Sequence, residues 1–254
     1  MAFLPAADTE AAARRALDSV FDPELDEPIT DLGFVRSVEA EGDGLVVHLR
    51  LPTSFCSPSF AYIMASDAKD ALRGLAARVV VELDDHHDSE RINAGLATDA
   101  GYRGTFRQEA DRDLEELRAT FRRKAHTAAM ERALTRLLRT TPSLSEPDLP
   151  RVTIDDLPDD PQKAALLRCR AAVGLALDGS AVVLVDDDGH PVTAGTAAAL
   201  LRRARTVRIS VDGNAHFCRG LLATRYPGAE AEQSPRPGGD GTRLRGRTLG
   251  RVTA

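Results

Sequence analysis

Phe34-Val35-Arg36-Ser37-Val38-Glu39-Ala40-Glu41-Gly42-Asp43-Gly44-Leu45-Val46-Val47-His48-Leu49-Arg50-Leu51 is the stretch whose reading decides the fold. Residues 34–39 and 45–51 are strand-like, and the glycines of Ala40-Glu41-Gly42-Asp43-Gly44 supply a reversal, so the pair is predicted as a β-hairpin. Alternation puts Val47 and Leu49 on one face and Val46 and His48 on the other. Upstream, Ala12, Ala13, Ala16, Leu17 and Val20 recur at helical spacing after Asp8 or Thr9 as N-cap, which predicts a helix over 9–20. Residues 21–35 carry two prolines, several acids and a glycine, and read as an ordered loop. Downstream, Pro52-Thr53-Ser54-Phe55-Cys56-Ser57-Pro58 is a loop, followed by a helix over about 59–72 and a strand over 79–83. Helix, strand, strand, helix, strand makes a compact α+β unit of roughly 100 residues.

Beyond it, Leu114, Leu117, Phe121, Ala125, Ala128, Ala129, Leu134, Leu137 and Leu138 predict a long helix over 111–139. Three prolines and two serines mark 141–150 as a linker. Helices over 161–177 and 194–203, with strands over 181–185 and 207–211, predict a smaller C-terminal α/β unit. From Tyr226 onward apolar residues thin out, and a disordered tail is expected. The division is therefore 8–96, a helical extension 97–140, the linker, 151–225 and the tail 226–254.

The 254 residues carry 33 Lys and Arg against 39 Asp and Glu, a net charge of −6, which argues against a nucleic-acid binder relying on bulk positive charge. No apolar run approaches the roughly 20 residues that span a bilayer, and the first residues are neither basic nor long and apolar, so a cytoplasmic protein without membrane contact is expected. Motifs for phosphate cradling, dinucleotide binding, the nucleophile elbow and H-E-x-x-H zinc hydrolysis are absent, so the usual ATP, dinucleotide and hydrolase readings lack support.

Cys56, Cys169 and Cys218 are widely spaced, which predicts single-thiolate chemistry and no disulfide framework. Cys56 follows a strand and precedes Ser57-Pro58, with the proline suited to the first turn of a helix. A sulfur at a helix N-terminus is favoured as thiolate, the form that ligates metal or attacks an electrophile. Thr53, Ser54 and Ser57 add hydroxyls for the sulfur or a ligand; the competing reading is a cysteine packed as a small hydrophobe. That packing reading also covers Cys169 and Cys218, although His216 and Cys218 make a weak ligand pair. Asp84, Asp85, His86, His87, Asp88 and Glu90 form a second cluster whose nitrogen and oxygen atoms suit Fe(II), Zn(II) or Mn(II). It reads equally as a solvated acidic turn or a helix cap. Were the third strand to lie beside the strand ending near Leu51, His86, marginally preferred to His87, would approach Cys56 as a further metal ligand.

Asp22-Pro23-Glu24-Leu25, then Ile29-Thr30-Asp31-Leu32-Gly33-Phe34-Val35, then Leu51-Pro52-Thr53-Ser54-Phe55-Cys56 resemble, in order and separation, the motifs of the MIP18 (DUF59) family of iron–sulfur cluster assembly factors. The resemblance covers residues 8–96 and implies that Cys56 holds or passes iron or a transient cluster, with Asp22, Glu24 and Asp31 lining or bracing that face. It implies a non-enzymatic role, action on a client metalloprotein in place of turnover of a metabolite. Cys56-Ser57-Pro58 replaces the family's direct Cys-Pro, which implies altered ligand geometry. The acidic, His-bearing turn over 83–93, with the longer C-terminal region, is similar to the subgroup that accompanies bacterial binuclear-iron monooxygenases, implying maturation of the oxygenase or its reductase; the alternative is an adaptor or chaperone for such an oxygenase in which Cys56 is only structural. One cysteine would leave a shared cluster dependent on a homodimer or an external thiol.

Overall fold

The computed structural model describes residues 6–107, 114–231 and 233. Its elements are α1 (Ala6–Leu17), β1 (Val35–Glu41), β2 (Gly44–Leu49), α2 (Pro58–Leu72), β3 (Arg78–Leu83), α3 (Ser89–Ala97), α4 (Gly101–Phe106), α5 (Leu114–Thr140), α6 (Pro161–Ala172) and α7 (Ala194–Arg225). The fold is α+β, with one three-stranded sheet and a helical C-terminal part.

The hairpin forms as its alternation predicts. β1 and β2 pair antiparallel with Val38 opposite Val47, and Leu45, Val47 and Leu49 face the core. After β2 the chain crosses through α2, so β3 returns parallel to β2 with Leu49 beside Leu83. Parallel pairing brings the C-terminal ends of β2 and β3 to one edge, where both the loop 50–57 and the turn 84–88 emerge. Ala61, Met64, Ala65, Ala68 and Leu72 bury one face of α2 against this sheet.

Two apolar clusters hold the molecule together, and α7 runs through both. Ala197, Leu201 and Ala204 enter the cluster built on α5, α6 and the segments around Leu149, Ile154 and Val183. Ala215 and Leu222, with Ala229 beyond the helix, enter the cluster of the sheet and α2. The strand expected over 207–211 is thus the middle of a 32-residue helix. Ala197, Leu201, Ala204, Arg208, Val211, Ala215, Cys218 and Leu222 alternate four and three residues apart, a heptad seam whose burial outweighs the β-branched run Val207-Arg208-Ile209-Ser210-Val211. Arg208 occupies that seam by pairing with the buried Glu131 of α5, which Arg205 also meets at 3.4 Å.

Residues 181–185 likewise form no strand, only isolated bridges from Val182 to Thr153 and from Val185 to Pro191. Val183, Leu184 and Val185 are all buried, so the run is apolar because it is enclosed, not because it alternates in a sheet. The C-terminal unit is therefore helical, where an α/β unit was expected. α6 stops at Val173, followed by Gly174 at φ 74°, a left-handed position that glycine adopts without penalty. The proline-rich 141–150 carries a short 3-10 helix, Glu146–Arg151, with a Ser145–Asp148 capping box and a buried Leu149. Of the expected tail, residues 232 and 234–254 lie outside the described residues. Among the described residues no helix is long and apolar enough to cross a membrane.

His126 on α5 is buried, and its Nε2 has no hydrogen-bond partner among the described residues. Burial, reinforced by Arg170, lowers its pKa to about 4. The unfolded chain protonates this imidazole near 6.5 and the folded one near 4, so its contribution to stability falls as pH drops through that window. Urea unfolding at pH 7 and pH 5 should show a loss from this group of about 1–2 kcal/mol that His126→Leu abolishes. An unchanged loss in the variant would assign it elsewhere.

Candidate metal-carrier site

The cysteine loop hangs from the ends of two parallel strands. Asp84 N–H donates to Leu49 O at 2.7 Å and His87 N–H to Ser54 O at 2.9 Å, continuing the β2–β3 pairing into both loops. His86, 6% exposed, donates from Nε2 to Cys56 O at 2.9 Å, while its Nδ1 accepts from Asp88 N–H at 3.0 Å. An Nδ1 that accepts leaves the proton on Nε2, so this is the neutral Nε2–H tautomer. The parallel strands thus bring His86 to Cys56, but to its carbonyl, and the imidazole braces the loop. His87 instead lies beside Phe55, ring centroids 6.0 Å apart.

Cys56 is half-buried, one residue ahead of the N-cap Ser57, and Pro58 opens α2. The helix was expected to favour a thiolate; the thiol is instead raised. Burial is the largest cause, a Thr53 backbone hydrogen bond opposes it, and Asp22 and Glu24 raise it while Arg225 lowers it. Ser57 makes no side-chain cap bond, Thr53 Oγ1 accepts from Phe55 N–H at 3.2 Å, and Ser54 Oγ accepts from Arg225 at 2.7 Å.

The acidic loop faces the same place. Asp22 Oδ1 accepts from Glu24 N–H at 2.8 Å and Leu25 N–H at 2.9 Å, an Asx turn that leaves Leu25, Ile29 and Leu32 pointing into the core. Asp22 itself is buried, and burial raises its pKa to about 6 against those two bonds. Glu24 Oε1 accepts from Asn214 on α7 at 3.2 Å and pairs with Lys124 on α5 at 3.4 Å. Asp31 takes part through its carbonyl, which accepts from Arg219 at 2.9 Å. Gly33 has φ 75°, and a Cβ there would lie 3.2 Å from Leu222 of α7, so the glycine both makes the turn and admits the helix.

Cys218 is the residue that the spacing of cysteines concealed. It stands half-buried in the inward seam of α7, and its thiol is pushed up to about 12 by burial, then by Asp22, Cys56 and Glu24. Two thiols, not one, therefore share this face. His216 is exposed, two residues away and so on another side of the helix, which separates the ligand pair suggested by spacing. The heptad seam, read in place of a strand over 207–211, is the pattern that points Cys218 inward. Cys169 is buried on α6, 3.5 Å from Asp26 Oδ2, as a packed cysteine. Among the described residues, one set of three ligand-type side chains lies within 4.8 Å, Asp186, Asp188 and His190; in that turn Asp186 Oδ1 already accepts from two backbone N–H groups.

Residues 10–84 match the model of the iron–sulfur cluster assembly protein family, and the chain belongs to that family through this unit. An uncharacterized protein of Methanocaldococcus jannaschii is 33% identical over 91 residues, 35% of this chain and 94% of that protein. Iron–sulfur cluster carrier proteins of Mycobacterium bovis and Mycobacterium tuberculosis are 48% identical over 50 residues, 19% of this chain. The chain spans 13% of the length of those carriers. No solved structure matches the chain.

The buried Asp22 gives the site a measurable signature. Its folded pKa near 6 exceeds the ordinary 3.8, so the protonated form is the stabilising one, complete below about 3.8 and lost as pH rises through 6. Asp22→Asn should therefore stabilise the metal-free protein at pH 7.5 by about 2 kcal/mol, with the gain vanishing near pH 4. Urea midpoints at the two pH values test this; destabilisation at pH 7.5 would overturn it.

Proposed function

We propose that this chain is a non-enzymatic iron or iron–sulfur cluster assembly factor that carries its cargo on the Cys56 thiolate and passes it to a client metalloprotein. The observation that carries the reading is that Cys56 lies within electrostatic reach of Asp22 and Glu24 inside the family-matched unit, a soft sulfur near hard oxygen donors that suits Fe(II). Transfer demands an open site, because a closed four-ligand cage does not release metal readily. Cys56 meets that demand, being half-buried in a loop, with His86 setting the loop's geometry from behind.

Phe55, next to the cysteine, is 81% exposed, an apolar side chain held outward where a client protein would contact the loop. This exposure also favours a second reading, an adaptor that docks a client through this face without carrying metal. A binuclear-iron monooxygenase component or its reductase is the client proposed in either case, in the cytoplasm. Neither reading requires turnover of a small molecule.

Anaerobic reconstitution with Fe(II) and sulfide, followed by metal content and visible absorption, separates the two. Uptake by the wild type that disappears in Cys56→Ser is the expected result. Equal uptake by both proteins would overturn the role of Cys56, and no uptake by either folded protein would leave the adaptor.

A further inference from the structure

Resting on the Cys56 reading, we propose that Cys218 on α7 is a second thiolate ligand of the same site, so that the C-terminal helix supplies the cargo with a second sulfur from the same chain. Cys218 lies outside residues 10–84, the unit that matches the family.

Helix geometry places it. Asn214, Cys218 and Arg225 are separated by four and seven residues, which returns all three to one side of α7. Asn214 is tied to Glu24 of the acidic loop, and Arg225 to Leu51 O and Ser54 Oγ of the cysteine loop. Cys218 stands between these two anchors, about 6 Å along the axis from Asn214 and about 10 Å from Arg225, and so over the junction of the two loops. Cys56 and Cys218 pack against the same apolar cluster.

A second observation points to a ligand. Asp22 is 7% exposed, its Oδ1 is spent on two backbone N–H groups, and its Oδ2 has no hydrogen-bond partner among the described residues. A carboxylate oxygen left without a partner on a residue more than nine-tenths buried, beside two thiols that its charge perturbs, is a cation-binding arrangement. The donor set is two sulfurs and one oxygen, which suits Fe(II), Co(II), Zn(II) or a small iron–sulfur cluster. The three ligand atoms do not all lie within 4.8 Å of one another, so the ion draws the side chains together as it binds. With Cys218 in place, the second thiolate comes from the same chain, and neither a homodimer nor an external thiol is needed for it.

Co(II) added anaerobically to the reduced full-length chain is the probe, because thiolate-to-metal charge-transfer intensity scales with the number of thiolates bound. Cys218→Ser should lower that intensity per bound cobalt to about half and weaken binding by about tenfold, Cys56→Ser should do at least as much, and Cys169→Ser should change neither. Wild-type intensity and affinity in Cys218→Ser, with loss in Cys56→Ser, would overturn the second thiolate and leave the Cys56 reading standing. Loss in neither variant, or no binding by the wild type, would overturn both. Alkylation of the wild-type chain by N-ethylmaleimide avoids dependence on a variant's folding: cobalt should slow modification of both Cys56 and Cys218, and an unchanged rate at Cys218 would refute its ligation.

Discussion

The packing of a negatively charged loop against the C-terminal helices is the constraint on which the rest of the structure depends. Residues 22–31 include five carboxylates, of which Asp22 and Glu27 are buried, and an unpaired buried charge is among the costliest features a fold can carry. The counter-charges come from far along the chain. Arg219 meets Glu27 and Asp31 O, Arg168 meets Asp26 at 2.9 Å, and Lys124 meets Glu24. Arg225 and Tyr226 extend the clasp to the cysteine loop and Asp85, with Arg50 stacked 5.2 Å from the Tyr226 ring. The N-terminal unit and α7 are in consequence one electrostatic assembly, and the seam of α7 supplies the apolar half of the same contact through Ala215 and Leu222.

Much of this was legible in sequence where the pattern is local. The hairpin follows from alternating Leu45, Val47 and Leu49 around a glycine turn, and the order of helices and strands up to Leu83 follows from periodicity. Cys56, Asp22 and Glu24 were legible as motifs, and the structure places their charges within reach of one another. His86 was legible as a neighbour of Cys56, because parallel β2 and β3 end side by side; that it would meet a carbonyl depended on the turn at Asp85, whose φ of 50° no spacing rule supplies.

What sequence concealed was long-range. Val207-Arg208-Ile209-Ser210-Val211 has strand composition, and only the burial of Val211 between Ala215 over one cluster and Ala204 over the other makes it helix. Misreading that segment also hid Cys218, since a helix broken at residue 203 has no continuous seam to carry a side chain to the acidic loop. The thiol pKa of Cys56 was misjudged for a related reason. Local reasoning counts the helix N-terminus that follows it, whereas burial in the folded chain, and after it the carboxylates of Asp22 and Glu24 more than 30 residues upstream, decide the direction.

The chemistry of the site follows from that balance. With no cation present, Cys56, Cys218 and Asp22 are all held toward their protonated forms, first by burial and then by the carboxylates around them. A divalent cation bound there, as proposed, would remove the cost of ionising them, so loading would exchange protons for metal and affinity would rise with pH. In the proposed carrier, the same exchange run backward would release cargo, protons reoccupying the thiols and the carboxylate to restore a neutral face. A site built to keep its metal would lower these pKa values with fixed donors, as closed thiolate cages do. Here burial and like charges raise them, so a proposed carrier would load its metal against bound protons and give it up to them, as a labile site requires.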